Sequence, residues 1–214
     1  MNCTAEMLRL YAVTDRAWVG EQTLSQQVEA ALKGGATCVQ LREKDLGDAA
    51  ILAEALEISA LCKRYGVPFI LNDNVALARQ CGADGVHLGQ EDMDPAEARR
   101  ILGPEAIIGV SAHNVAEARA AVEAGADYLG CGAMFATATK TNVTALPKET
   151  LRDICAAVPI PVVAIGGIGE GNVQEIIPLG VNGVAVVSAI IAQEDITAAA
   201  ARLRRLIEES NISG

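Results

Sequence analysis

Short apolar runs alternate with apolar positions at helical spacing along most of the chain. Residues 8–14 (LRLYAVT) have strand composition and exit at Asp15, residues 17–22 read as a loop, and residues 24–32 carry a helical pattern that stops at Gly34-Gly35. Residues 37–41 then predict a second strand, followed by a helix over 48–64, a strand over 68–71 that ends at Asn72-Asp73, and a helix starting near Val75. Further on come a strand over 85–88, a helix from about Pro95, a strand over 107–110 ending at Ser111, a helix within 115–123 and a strand over 128–130. A polar loop carries Thr137 to Thr141, a helix follows Pro147, and strands over 161–165 and 184–187 bring the expectation to eight strands and eight helices.

Four of the helix endings repeat one another. GGATCVQL at 34–41, CGADGVHLG at 81–89, AGADYLGCG at 124–132 and LGVNGVAVV at 179–187 each join a glycine-rich stop to an apolar strand, which reads as an αβαβ unit repeated around a closed sheet. Strands that are apolar without strict alternation are buried on both faces. No glycine fingerprint follows Tyr11-Ala12-Val13, so the pattern favours an α/β fold of the (β/α)₈ TIM-barrel type over a doubly wound sheet. The expected organisation is one catalytic domain over residues 1–214.

Composition narrows the ligand class. With 17 Lys+Arg against 27 Asp+Glu and a formal charge of -10, the chain has no general positive surplus, so a local cationic site for a small anion is a sharper expectation than a nucleic-acid face. Six scattered cysteines without a Cys-x-x-Cys pair give little support to zinc or a disulfide framework, and they fit a reducing compartment. No apolar run approaches transmembrane length and no secretory pattern opens the sequence, so a cytoplasmic protein with no membrane partner is expected. A homo-oligomer is compatible with the chain.

In a TIM barrel the strand C-termini open at one face, where residues distant in sequence meet. The most informative stretch there is Gln40-Leu41-Arg42-Glu43-Lys44, an apolar run ending in two cations and a carboxylate. Asp73 and Asp92 follow neighbouring strands and, beside Arg42, Lys44 and Lys140, suit Mg²⁺ bridging a polyphosphate; the competing reading is that each caps the next helix. Glu43 or Glu91 could supply the carboxylates instead. Asn72 and Ser111 offer ligand contacts, or an Asx turn and a helix cap. Thr137-Ala138-Thr139-Lys140 packs two hydroxyls and an ammonium into one loop that can wrap a phosphate or stay solvated. Gly166-Gly167 and Val187-Ser188 form a second phosphate candidate after the seventh and eighth strands. His87 reads as a neutral core histidine, His113 as a residue near a helix start, and neither suggests a hydrolytic triad.

The ordered set QLREK, ND, HLGQED, VSAH, TxTK, IGGI and VVSAI at successive strand ends resembles the thiamine phosphate synthase family over residues 8–205. The resemblance implies that a pyrimidine methyl diphosphate is joined to a thiazole ethyl phosphate, with release of pyrophosphate, by a dissociative mechanism assisted by Mg²⁺. It implies that Gln40, Arg42, Lys44, Asn72, Ser111 and Lys140 bind the pyrimidine diphosphate, with Leu41 and Glu43 in the same motif. Asp73 and Asp92 would hold Mg²⁺, while Thr137, Thr139, Gly167, Val187 and Ser188 would receive the thiazole phosphate, with Ala138 in the same loop. Arg42, Lys44, Lys140 and Ser111 would carry the catalysis. The chain departs from the family pattern at Ala133 and Ala136, where prolines are common, and a change in rate or affinity is expected there. A thiazole tautomerase, a sugar-phosphate isomerase or aldolase, and a noncatalytic phosphate-binding barrel are the alternatives.

Overall fold

A computed structural model describes residues 3–136 and 145–212. Eight strands pair in parallel in the order β1 to β8 and close on themselves: β1 Leu10–Val13, β2 Cys38–Leu41, β3 Phe69–Asn72, β4 Gly85–Leu88, β5 Ile107–Ala112, β6 Tyr128–Gly132, β7 Val162–Ile165 and β8 Gly183–Val186. This is a (β/α)₈ TIM barrel. The covering helices are α1 Leu24–Lys33, α2 Asp48–Tyr65, α3 Val75–Cys81, α4 Pro95–Leu102, α5 Val115–Glu123, α6 Lys148–Ala157, the short α7 Ser188–Ile191, and α8 Ile196–Ile212. They are not spaced one per strand. The β7–β8 crossover consists of two 3₁₀ turns, Val173–Glu175 and Ile177–Leu179, where Pro178 has no N–H to donate and Gly180 takes a left-handed turn.

The apolar strands divide into two cores by parity. One set, including Leu10, Val39, Leu41, Phe69, Leu71, Val86, Leu88, Leu129 and Val184, faces the helices. The other, Tyr11, Val13, Cys38, Ile70, Ile107, Tyr128, Val163 and Ala185, fills the barrel interior. Burial on both faces explains why strict alternation is missing from the sequence. A fully buried residue such as Ile70 contributes about 1.5–3 kcal/mol relative to exposure.

The seam between β1 and β8 is backed by the last helix. Thr197 Oγ1 on α8 donates to the Ala30 carbonyl of α1 at 3.0 Å, and Arg204 Nη1 donates to the Gly35 carbonyl at 3.3 Å. At Gly34 a Cβ would overlap the Thr197 carbonyl, so the two helices touch through bare backbone. Among the described residues, no helix is long and apolar enough to cross a membrane.

Candidate active site

Strand parity decides which side chains reach the barrel mouth. Counting inward positions by twos places Tyr11 and Val13, then Gln40 and Arg42, Asn72, His87, Ser111, Gly130 and Gly132, Val163 and Ile165, and Ala185 and Val187 around one cavity of ≈ 390 Å³. The loops beyond add Lys44, Asp73, Glu91, Asp92, Gly166, Gly167 and Ser188. Gln40, Arg42, Lys44, Asn72, Asp73, Asp92, Ser111, Gly167, Val187 and Ser188 thus all share the mouth.

Leu41 and Glu43 belong to the same motif but not to the cavity. Leu41 is the outward member of β2 and is buried against the helices. Glu43 turns back into the protein: Arg16 Nε donates to its Oε2 at 2.5 Å, and its Oε1 accepts from the backbone N–H groups of Lys44 and Asp45. Burial pushes the Glu43 carboxyl up, but the Asp45 and Lys44 N–H groups and the Arg16 guanidinium outweigh this and hold it below its usual range. Arg16 Nη2 also grips Glu54 of α2, at 2.5 and 2.6 Å. On the other flank, the Arg42 N–H donates to Thr14 Oγ1 at 3.1 Å. The cationic loop is therefore held from both sides. Thr137, Ala138, Thr139 and Lys140 lie outside the described residues.

Neither Asp73 nor Asp92 is a helix cap. Asn74 caps α3 by accepting from Leu77 N–H, and Asp94 caps α4 by accepting from Ala96 and Glu97 N–H. Asp73 holds a left-handed backbone at φ 59, where Asp is among the better tolerated residues. Its carboxyl lies 3.5 Å from Lys44 Nζ. Burial, the hydrogen-bonding contact with Asp92 and the charge of Asp92 raise the Asp73 carboxyl above its usual range, and Lys44 offsets only part of this. Asp92 Oδ2 also accepts from Gly89 N–H at 2.7 Å.

Two crowded carboxylates of this kind fit a hard divalent cation. Among the described residues, no group of three or more His, Cys, Asp or Glu side chains could hold a metal. A pair of adjacent carboxylates is compatible with Mg²⁺, which takes one or two carboxylates and completes its shell with water and phosphate oxygens.

Across the barrel, Gly166 and Gly167 have φ of 100 and 65, and a Cβ on Gly167 would sit 2.5 Å from the Ala136 carbonyl. Ala133 and Met134 are buried. The Met134 and Phe135 N–H groups donate to the Ile165 and Gly166 carbonyls at 3.0 Å, and Leu146 N–H donates to the Ala133 carbonyl at 2.7 Å. The start of this loop is therefore held against the end of β7 by backbone hydrogen bonds.

Parity also brings in residues that the motifs did not assign to the site. Gln40 Nε2 donates to Tyr11 Oη at 2.9 Å, the hydroxyls of Tyr11 and Tyr128 are 2.9 Å apart, Tyr128 Oη is 3.0 Å from His87 Nδ1, and His87 Nε2 is 3.0 Å from Ser111 Oγ. His87 is thus the hydrogen-bonded core histidine expected, but it belongs to a polar chain across the cavity floor. Burial pushes both phenols well above their usual range, so both stay protonated. Two glycines make the room: a Cβ on Gly109 would overlap the Tyr128 ring, and one on Gly130 would lie 2.8 Å from His87 Cε1.

A family profile described as thiamine monophosphate synthase matches residues 10–190. The chain belongs to the thiamine monophosphate synthase family. It is 47% identical over 206 residues to the thiamine-phosphate synthase of Albidiferax ferrireducens, covering 95% of this chain and 93% of that protein. It is 49% identical over 200 residues to the thiamine-phosphate synthase of Chloroflexus aurantiacus, covering 93% of this chain and 92% of that one. Among solved structures, the thiamine phosphate pyrophosphorylase from Pyrococcus furiosus superposes with a TM-score of 0.88 at 39% identity, covering 96% of this chain and 98% of that one. A 3-hexulose-6-phosphate synthase structure, at 18% identity and TM-score 0.67, shares the fold alone.

Proposed function

We propose a division of labour at the barrel mouth for the reaction that family membership assigns to this chain. That reaction joins 4-amino-2-methyl-5-pyrimidinylmethyl diphosphate to 4-methyl-5-(2-phosphoethyl)thiazole, forming thiamine phosphate and pyrophosphate. The observation that carries the proposal is the grouping of Arg42, Lys44, Asp73 and Asp92 on the β2–β4 side of a cavity whose opposite wall is Gly166-Gly167 and Val187-Ser188.

On this reading Arg42 and Lys44 grip the diphosphate, joined by Lys140 on the strength of the resemblance. Asn72 and Gln40 orient the pyrimidine, with Ser111 at its edge. Asp73 and Asp92 would hold Mg²⁺, which when bound neutralises phosphate oxygens. The reacting C–O bond breaks, its electron pair leaves with the diphosphate, and the thiazole nitrogen supplies the pair for the new C–N bond. Cations fixed beforehand around the leaving group stabilise charge that grows in the transition state, which accelerates the step more than uniform substrate binding would. No protein nucleophile is needed.

Gly167, Val187 and Ser188 receive the thiazole phosphate, with Thr137, Ala138 and Thr139 added by resemblance. Residues 1–214 are taken as one catalytic domain. The six cysteines, all free thiols, accord with a reducing compartment, and cytoplasm is the location we assign.

The deciding experiment is incubation of the purified protein with both substrates and Mg²⁺, with thiamine phosphate and pyrophosphate followed by mass spectrometry. Formation of both in equal amounts supports the proposal. A folded protein that binds both substrates and makes neither product overturns it.

A further inference from the structure

The polar chain on the cavity floor has a direction. Along this chain Tyr11 and Tyr128 each have one proton to donate, as does His87 in its neutral form, so within the chain fixing one bond fixes the others. When the Gln40 amide donates to Tyr11, Tyr11 must donate to Tyr128, Tyr128 to His87 Nδ1, and His87 Nε2–H to Ser111 Oγ. Gln40 is then left with its carbonyl oxygen for the cavity, and Ser111 with its hydroxyl proton. A half-turn of the amide reverses everything: Gln40 presents N–H, His87 carries its proton on Nδ1, and Ser111 presents a lone pair.

We propose that Tyr11, Tyr128 and His87 are positioning residues that lock Gln40 and Ser111 into one joint pattern, acceptor at Gln40 and donor at Ser111, and thereby select a ring bearing an amino group beside an unprotonated ring nitrogen. The inference rests on the reading that the aminopyrimidine occupies this cavity.

Two features favour this polarity over its reverse. Arg42 follows Gln40 by two positions on the same face and lines the same cavity with Lys44, so their positive charge attracts the amide oxygen toward the mouth. The Nε2–H form is also the intrinsically preferred tautomer of a neutral histidine side chain. An oxo ring with a protonated nitrogen offers the opposite edge. To be accepted it must reverse every bond in the chain against both preferences, or leave a buried polar group unpaired, which is costly. The space left by Gly109 and Gly130 shows that packing around the chain is specific, because the two rings occupy the volume where those Cβ atoms would be.

Two measurements test this. Tyr11→Phe and Tyr128→Phe each cut the chain while keeping the ring, and kcat/KM is compared for the 4-amino pyrimidine diphosphate and its 4-oxo analogue. The expected result is a fall of about tenfold or more in the amino-over-oxo preference, with melting temperature retained and KM for the thiazole phosphate unchanged. Wild-type preference persisting in both variants overturns the inference. Loss of both activities in step marks a purely structural role and overturns it equally.

The second measurement requires no turnover. The sequence has two histidines, so ring-¹⁵N labelling gives two signal sets, and a His113→Asn variant assigns them. In the free protein and with the pyrimidine monophosphate, His87 is expected to show a protonated Nε2 and an unprotonated Nδ1. A protonated Nδ1 overturns the inference. If wild type makes no product while His87 shows the expected tautomer, the proposed function fails and the polarity of the chain stands.

Discussion

Arg16 and Glu43 join the loop after β1 to the loop after β2 through a 2.5 Å bond from Nε to Oε2. The Glu43 side chain is only 2% exposed, so this contact and the two backbone N–H groups it accepts shape the segment that carries Arg42 and Lys44. A carboxylate that looks from the sequence like a ligand is in fact the internal brace of a cationic loop.

Glu43→Gln should therefore raise KM for the pyrimidine diphosphate about tenfold and leave KM for the thiazole phosphate near wild type. Its stability cost should be about 1–2 kcal/mol, because Arg16 keeps Glu54 as a partner. Steady-state kinetics with each substrate varied in turn, plus urea unfolding, checks both. An equal rise in both KM values would contradict the role.

Asp73→Asn and Asp92→Asn should each lower kcat by about a hundredfold or more while leaving the fold intact, since one oxygen and its hydrogen bonds are kept. Asn at 92 can still accept from Gly89 N–H, so Asp92→Asn is the cleaner variant. Chelation with EDTA should abolish wild-type turnover, and added Mg²⁺ should restore it. Circular dichroism and Mg²⁺ titration of the rate distinguish lost metal affinity from lost fold.

The buried thiols offer an assay of the core. Burial raises Cys62 and Cys131 from 9.0 to about 12, with the charge of Asp84 adding at Cys62 and that of Cys155 at Cys131. In the folded protein these groups should resist a thiolate-specific reagent at pH 8, and after unfolding all six cysteines should react. The sign of the linkage follows. The folded state keeps protons that the unfolded state loses, so this stability is complete below about pH 9 and falls as pH rises toward 12. Equilibrium unfolding between pH 8 and the alkaline limit of the native state measures the decline.

Gly167→Ala should weaken thiazole phosphate binding more than pyrimidine diphosphate binding. At φ 65 an alanine is strained, and its methyl would press on the Phe135 and Ala136 backbone across the loop. A loss of about 1–2 kcal/mol in stability is expected, with KM for the thiazole phosphate raised about tenfold. Calorimetric titration with each substrate gives the comparison.

The barrel was legible in the sequence because glycine-rich helix stops and apolar runs recur at even spacing. Its β7–β8 crossover was less so: the apolar Ile176-Ile177-Pro178-Leu179 stretch packs as 3₁₀ turns because Pro178 cannot continue a helix. At the site, charge marked Arg42, Lys44, Asp73 and Asp92. Charge alone misassigned Glu43, because its partner Arg16 lies 27 residues away and only the fold brings them together. Leu41 could have been set aside by counting: if Gln40 faces the cavity, its neighbour on the strand faces the helices. The same count, carried through the strand register, would have found Tyr11, Tyr128 and His87, whose apolar neighbours hide them in a one-dimensional reading.

The contact of α8 with α1 governs when the barrel can close during synthesis. Thr197 and Arg204 reach partners 167 and 169 positions earlier, and β8 pairs with β1, so the free edge of β1 waits for residues far along the chain. A ribosome-bound chain with α8 still in the exit tunnel exposes the apolar flank of α1 and an unpaired strand edge. Closure therefore depends on contacts of high sequence separation, which form slowly, and the open half-barrel is the species exposed to aggregation in the meantime.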